Sequence, residues 1–335
     1  MPSFLFPLIS LLGLIFSNPP LEKPKPEILQ AGFIYESAPF PSCHASTLLE
    51  TENGILAAWF GGTYERHPDV SIYTSALSGE TWSVPMQVAD GIENEVFRNP
   101  TWNPVLHRLQ DGKIALFYKE GPNPREWWGL YKTSTDEGKT WSKEVQLQPG
   151  FLGPVKNKAV DLPSGKILHP SSFEVNNVWT SHMEISDENL QNWSKSEIKG
   201  PFGAIQPTVL FHPGGKLQIL CRTREGVIAT AWSTDQGITW TELSSTDIVH
   251  NNSGIDAVTL ADGYHLLVCN PIPKGRNKLS LLGSSDGVKW EELLVLENEE
   301  SGEFSYPAII QAKDGTVHIS YTHHRKKIKH VQLKL

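Results

Sequence analysis

Ser134-Thr135-Asp136-Glu137-Gly138-Lys139-Thr140-Trp141 returns as Ser233-Thr234-Asp235-Gln236-Gly237-Ile238-Thr239-Trp240. The two copies share a Thr at the second position and the five positions of the motif S-x-D-x-G-x-T-W, one of which holds tryptophan. A motif that recurs at long range points to a repeat architecture. Weaker copies extend the series. Ser75 to Trp82 keeps every fixed position except the Asp, Ser186 to Trp193 keeps the Ser, a carboxylate (Glu188) and the Trp, and Ser284 to Trp290 is one residue shorter. The tryptophans fall at 82, 141, 193, 240 and 290, at intervals of 59, 52, 47 and 50 residues.

A second repeat interleaves with the first. A glycine turn precedes an apolar run at Gly54, Gly112, Gly165, Gly214-Gly215, Gly263 and Gly315. These are hairpin signals, with turn residues that tolerate positive φ. Each unit reads as strand, Gly turn, strand, long loop, strand, S-x-D-x-G-x-T-W turn, strand. A four-stranded antiparallel meander repeated about every fifty residues is a propeller blade. Six Gly turns imply an all-β, six-bladed β-propeller. Only five motif-type turns exist, so the last blade lacks its fourth strand. The segment Gly32 to Tyr35 supplies it, closing the ring and hiding two sheet edges. A sandwich is the rival, but it needs no equal repeats.

Length and composition agree. The chain has 335 residues, with 27 Gly, 24 Pro and 11 Trp, which favours short strands and many turns. A net charge of −8 argues against a general nucleic-acid binder. Cys43, Cys221 and Cys269 have no framework spacing and read as buried small hydrophobes. No phosphate loop or zinc-type spacing appears, so neither metal nor cofactor is expected. Phe4 to Phe16 is apolar, too short for a comfortable membrane span, and reads as a secretory signal without a basic start. Residues 1–18 are thus a signal peptide, 19–29 a linker and 30–335 the propeller. The mature protein is expected to be secreted or periplasmic, with no stable membrane insertion.

In a meander, alternate turns lie on opposite faces. The Gly turns and the S-x-D-x-G-x-T-W turns share one face, where Asp, Gly and Trp serve as turn and packing residues. The other face carries the reactive side chains. Its loops and blade links hold Arg98, Arg125, Arg222, Arg276 and Arg325, with His44, Asp69, Lys158, Gln206 and Tyr306 among them. Arginines converging on one mouth of an acidic protein suit a carboxylate, which guanidinium binds bidentately.

The repeated turns resemble the Asp boxes of the sialidase (neuraminidase) superfamily, and the chain looks like a bacterial exo-sialidase-like protein over roughly residues 30–335. The resemblance implies that Arg222 and Arg276 belong to a carboxylate-binding arginine triad, that Tyr306 in Phe304-Ser305-Tyr306-Pro307 is the nucleophile, and that Asp69 is the acid/base. A phenol suits this role because a carboxylate nucleophile would be repelled by the sugar's own carboxylate. With a pKa of about 10, the phenol needs a base beside it. Two positions depart from the family pattern. Gln206 stands where the family carries that base as a Glu, leaving Glu174, Glu225, Asp256 or Glu303 as replacements. His44 stands where a triad arginine opens blade one, so the third arginine comes from elsewhere, Arg98 or Arg125.

The expected function is an exo-α-sialidase-like glycoside hydrolase acting on a terminal carboxylate-bearing sugar of a glycan or glycoconjugate. Two alternatives stand beside it. His44 and Tyr306 could support β-elimination from a uronate, with arginines and Gln206 neutralising the carboxylate. A propeller that binds sugar without catalysis is the other. Trp102, Trp127, Trp128 and Trp179 are either sugar platforms or inter-blade packing.

Overall fold

A computed structural model of the protein describes residues 25–335. The expected signal segment, residues 1–18, lies outside them. Alternating apolar residues and turn formers produce six antiparallel sheets around one axis, with a single turn of 3₁₀ helix at Pro213–Gly215.

Blade one holds Ser42–Thr51, Gly54–Gly62, Ser71–Ser78 and Thr81–Trp82, and a fifth strand, Met86–Ala89, also pairs with Ser71–Ser78. Blade two holds Thr101–Arg108, Ile114–Glu120, Trp128–Ser134 and Val145–Gln146. Blade three holds Val160–Asp161, Ile167–Val175, Val178–Ser186 and Trp193–Glu197. Blade four holds Ala204–Phe211, Leu217–Thr223, Val227–Ser233 and Ser244–Val249. Blade five holds Asp256–Thr259, His265–Cys269, Lys278–Ser284 and Glu291–Asn298.

Blade six contributes Phe304–Gln311, Val317–His323 and Lys327–Lys334. Its outer strand is Glu27–Phe33, running antiparallel to Lys327–Lys334 from Glu27 opposite Lys334 to Phe33 opposite Lys329. The ring is therefore closed by an N-terminal strand, as the count of turns required. That strand begins inside the stretch read as linker.

The repeated turns work as scaffold. Ser134 and Ser233 each donate to the Asp two residues on, at 2.8 Å, and each accepts from the following glycine N–H at 2.9 Å. Asp136 and Asp235 then accept from the backbone and hydroxyl of Thr140 and Thr239. Every box tryptophan packs on a different inter-blade cluster. Trp141 packs on the cluster that contains Leu56 and Leu116, and Trp240 on the one that contains Leu168 and Leu217, while Trp82, Trp193 and Trp290 join three others. Each fully buried leucine there contributes roughly 1.5–3 kcal/mol. The three cysteines are buried and unpaired.

Candidate active site

The innermost strands carry the irregularity that builds the site. Register slips between His44 and Thr47, Trp102 and Val105, Ile205 and Thr208, and Ser305 and Ala308. Inside each bulge one non-glycine residue takes positive φ: Ala45 at 58°, Asn103 at 37°, Gln206 at 55° and Tyr306 at 51°. A bulge turns a side chain out of the ladder, and such backbone costs of order 1–3 kcal/mol per residue. Three of the four residues precede a proline, as Asn103-Pro104, Gln206-Pro207 and Tyr306-Pro307. Proline has no N–H to give the ladder and is confined to edges and bulges. That X-Pro pattern was the available sequence signal for the mouth, and the box motif hid it.

The bulge carbonyls are capped from the link into blade three. Asn157 donates its side-chain amide to the carbonyls of Gln206 at 2.9 Å and Pro207 at 3.0 Å. Lys156, buried, donates to the carbonyl of Ile255 at 2.8 Å and to that of Pro307. Burial pulls the Lys156 ammonium down to about 7, against the opposing pull of Asp256.

Tyr306 and Gln206 face each other across this floor. Arg222 donates from Nη1 to the phenol oxygen at 2.8 Å, and Gln206 donates its amide to the same oxygen at 3.4 Å. Arg222 Nε is fixed by Asn252 Oδ1 at 2.7 Å. Arg222 and Arg276 place their guanidinium carbons 5.8 and 5.7 Å from the Tyr306 ring centre. Arg276 and Arg325 both donate to one oxygen of Glu303 at 2.8 Å, and Arg325 reaches Glu65 at 2.5 Å. Burial alone would raise the Glu303 carboxyl, but Arg325 and Arg276 hold it below the ordinary range. Three guanidiniums, from Arg222, Arg276 and Arg325, thus surround Tyr306 directly or through Glu303.

His44 is 1% exposed and lies against Tyr306, ring centres 4.0 Å apart. Its Nδ1 meets Thr322 Oγ1 at 2.9 Å, while Nε2 is buried without a partner. Burial pushes this imidazole well below its usual pKa, reinforced by Arg325, Arg276, Arg222 and Lys156, so it is neutral across the physiological range.

The remaining expected residues lie elsewhere or are engaged. Among the described residues no carboxylate is hydrogen-bonded to the Tyr306 oxygen. Glu174 accepts from the Trp179 indole at 3.0 Å, and Asp256 takes both Lys158 at 2.8 Å and the Ile309 N–H at 3.0 Å. Lys158 is therefore a partner of Asp256, and Lys156 is the lysine beneath the mouth. Arg98 donates to the Asp69 carbonyl and to Ser71, and Arg125 donates to Asn177, so neither touches Tyr306. Asp69 accepts from Thr63 at 2.9 and 2.6 Å and meets His67 at 2.7 Å. Burial pulls its carboxyl up, yet those contacts hold it below the usual range. Beside Arg325, ligand atoms of Glu299, His323 and His324 lie within 4.8 Å of one another, which is metal-ligand spacing.

Comparison with known proteins places this geometry among relatives. The BNR repeat-like domain model matches residues 53–319. A sialidase of Bacteroides fragilis is 24% identical over 320 residues, covering 82% of this chain and 58% of its own length, so the chain spans little more than half of that relative. Three solved structures share the fold. A protein of unknown function from Dyadobacter fermentans superposes with TM-score 0.75 at 18% identity, covering 93% of this chain and 100% of its own. A variant of the NanB sialidase from Streptococcus pneumoniae gives 0.73 at 16%, covering 94% and 71%. The intramolecular trans-sialidase from Ruminococcus gnavus, solved with oseltamivir carboxylate, gives 0.73 at 15%, covering 91% and 97%.

Proposed function

The chain belongs to the BNR repeat-like domain family, and from that premise we propose that it is a glycoside hydrolase acting on a terminal sugar that bears a carboxylate, with Tyr306 as nucleophile. One observation carries the reading: the Arg222 guanidinium sits on the Tyr306 oxygen at 2.8 Å, with Arg276 beside the ring. The sugar carboxylate pairs with Arg222 and with the face of Arg276 turned to the Tyr306 ring, and Arg325, ion-paired with Glu303 and Glu65, holds Glu303 in place behind them. Docking there brings the anomeric carbon to the phenol oxygen. The phenol oxygen bonds to that carbon and gives up its proton to solvent as the glycosidic bond breaks, the departing oxygen takes a proton, and water then cleaves the sugar–phenol bond to release the free sugar and restore the phenol. The Arg222 guanidinium and the Gln206 amide hold the phenol oxygen in place for that attack. Asp69 is the proposed proton source, although its partners favour the ionised carboxylate.

The experiment is release of free sialic acid or free uronic acid from aryl and natural glycosides, with Tyr306→Phe alongside. No release over several linkages, or turnover that survives Tyr306→Phe, sinks the reading.

A second reading has its own observation. Among the described residues the phenol oxygen is hydrogen-bonded to no carboxylate, and the neutral His44 ring lies against Tyr306. In an eliminating enzyme, Arg222 and Gln206 would hold a uronate carboxylate and a neutral base would take the proton on the adjacent carbon. Tyr306 would protonate the leaving oxygen. An unsaturated product absorbing in the near ultraviolet separates this from hydrolysis. Binding without turnover of any glycan would leave a lectin-like propeller.

A further inference from the structure

Resting on the reading of the mouth as a site for one carboxylate-bearing sugar, we propose that the neighbouring sugar is acidic as well, and that blades two to four carry a second carboxylate subsite built from Arg224 and Arg125. The mouth's guanidiniums fall into two sets. Arg276 and Arg325 are neutralised by Glu303 and Glu65. Arg222, Arg224 and Arg125 form no ion pair among the described residues. Their partners are Asn252, Gln206 and Tyr306 for Arg222, the Asn177 carbonyl for Arg224 and the Asn177 side chain for Arg125.

These three form a row leading outward from the phenol. Arg222 has its guanidinium carbon 5.2 Å from the Trp179 ring centre, and Arg224 lies 3.9 Å from the same ring. Arg224 then donates to the Asn177 carbonyl at 3.2 Å, and Arg125 donates to Asn177 Oδ1 at 3.0 Å. Arg222 is the last but one residue of the Leu217–Thr223 strand and Arg224 follows its end, and both guanidiniums meet the Trp179 ring from positions roughly 7 Å apart along the chain. That spacing is of the order of one sugar ring. Asn177 sits at the tip of the blade-three hairpin, where Asn176 and Asn177 both take positive φ, at 52° and 63°. Two-residue hairpin turns of this kind favour asparagine. The tip thus holds the two outer arginines in place.

The packing alternative is that Arg224 merely covers Trp179 with its stem. It does not explain why arginines from blades two and four meet at the blade-three tip with neutral partners only. On a chain of net charge −8, a row of unneutralised guanidiniums is a local field that draws an acidic chain end and fixes its direction.

The test measures binding by calorimetry in the Tyr306→Phe protein, which prevents turnover. Disialic acid is compared with sialyllactose, and digalacturonic acid with glucuronosyl-xylose, so that each pair differs in the charge of the second sugar. The expected result is tighter binding of one all-acidic disaccharide by about tenfold. Arg125→Gln with Arg224→Gln keeps a polar amide donor at each position but not the charge, and brings the ratio close to one, as does salt at about 0.5 M. A ratio near one with both arginines present overturns the inference, and so does a ratio that survives the double variant. If sialyllactose and glucuronosyl-xylose both fail to bind, the carboxylate-sugar reading itself has failed, and the second subsite falls with it.

Discussion

On the box face, Ser134 and Ser233 make the same bonds to Asp136 and Asp235 at the same 2.8 Å, in blades two and four. On the mouth face, the four equivalent bulge positions hold Ala45, Asn103, Gln206 and Tyr306. The first set is uniform because every blade has the same problem, a turn with backbone donors to satisfy and a tryptophan to seat. The second set is uniform in backbone and divergent in side chain. A strained position repeated in four blades, but used for a phenol in only one, separates what the ring needs from what one substrate needs.

Tyr306→Phe should break this symmetry most sharply. Removing one oxygen from a reacting group is expected to lower kcat by about three orders of magnitude or more, since removed nucleophiles cost at least that. Thermal unfolding should barely move, because the ring keeps its packing on His44. A kcat within tenfold of the parent would mean that the divergent bulge side chain is structural.

The pH dependence of stability sharpens the contrast next. Burial lowers His44 and His169 well below 6.5, His250 and His330 to about 3, and His265 to about 4. All are neutral when folded, whereas the unfolded chain takes up protons below about 6.5. Their contribution is complete above that pH and is lost as the pH falls toward the folded values. Each histidine adds a slope of up to about 1.4 kcal/mol per pH unit. Urea midpoints should therefore drop steeply between about pH 6.5 and 4. His44→Gln, the mouth member of the set, should flatten the curve by one proton's slope. A flat stability curve over that window would overturn the neutral assignment.

On the scaffold side, Ser233→Ala leaves the buried Gly237 N–H without its 2.9 Å acceptor. The expected cost is about 1–3 kcal/mol of unfolding free energy, read by denaturant titration. Turnover should be unaffected, the reverse of the Tyr306 result. Loss of activity without loss of stability would mean that the boxes reach the chemistry.

The fold was legible in the sequence because its signals are local. A Gly turn or an Asp box specifies its own hairpin, so counting them counted the blades and located the closing strand near Phe33. Tyr306, Arg222, Arg276, Gln206 and His44 came together as their positions in the repeat required. The misplacements were of another kind. Lys158 and Lys156 stand two residues apart in one link, and only the partner, Asp256 for one and the Ile255 and Pro307 carbonyls for the other, tells them apart. The third guanidinium was sought at Arg98 or Arg125, whereas the one that shares Glu303 with Arg276 is Arg325. That residue lies in a tight turn of blade six at φ 59°, a conformation its side chain does not advertise. Which of several mouth side chains touch is decided between blades, across separations of up to 278 residues as for His44 and Thr322, and local pattern carries no such information.

Gly254 offers the finest test of how closely the mouth is held. It lies in the link before blade five, and a Cβ added there would sit 3.0 Å from Tyr306 Cγ and 3.1 Å from Cδ2. The neighbour is an aromatic ring, free to give by a few tenths of an ångström, so Gly254→Ala should fold with little loss of stability. The ring cannot yield toward His44, already 4.0 Å away centre to centre, without tilting its oxygen relative to Arg222. Displacements of a reacting atom well under 1 Å are expensive in rate, and a drop in kcat of about tenfold with KM little changed is expected. An unchanged kcat would show that the phenol is positioned by Arg222 and Gln206 alone. A raised KM at constant kcat would instead assign Gly254 to substrate clearance.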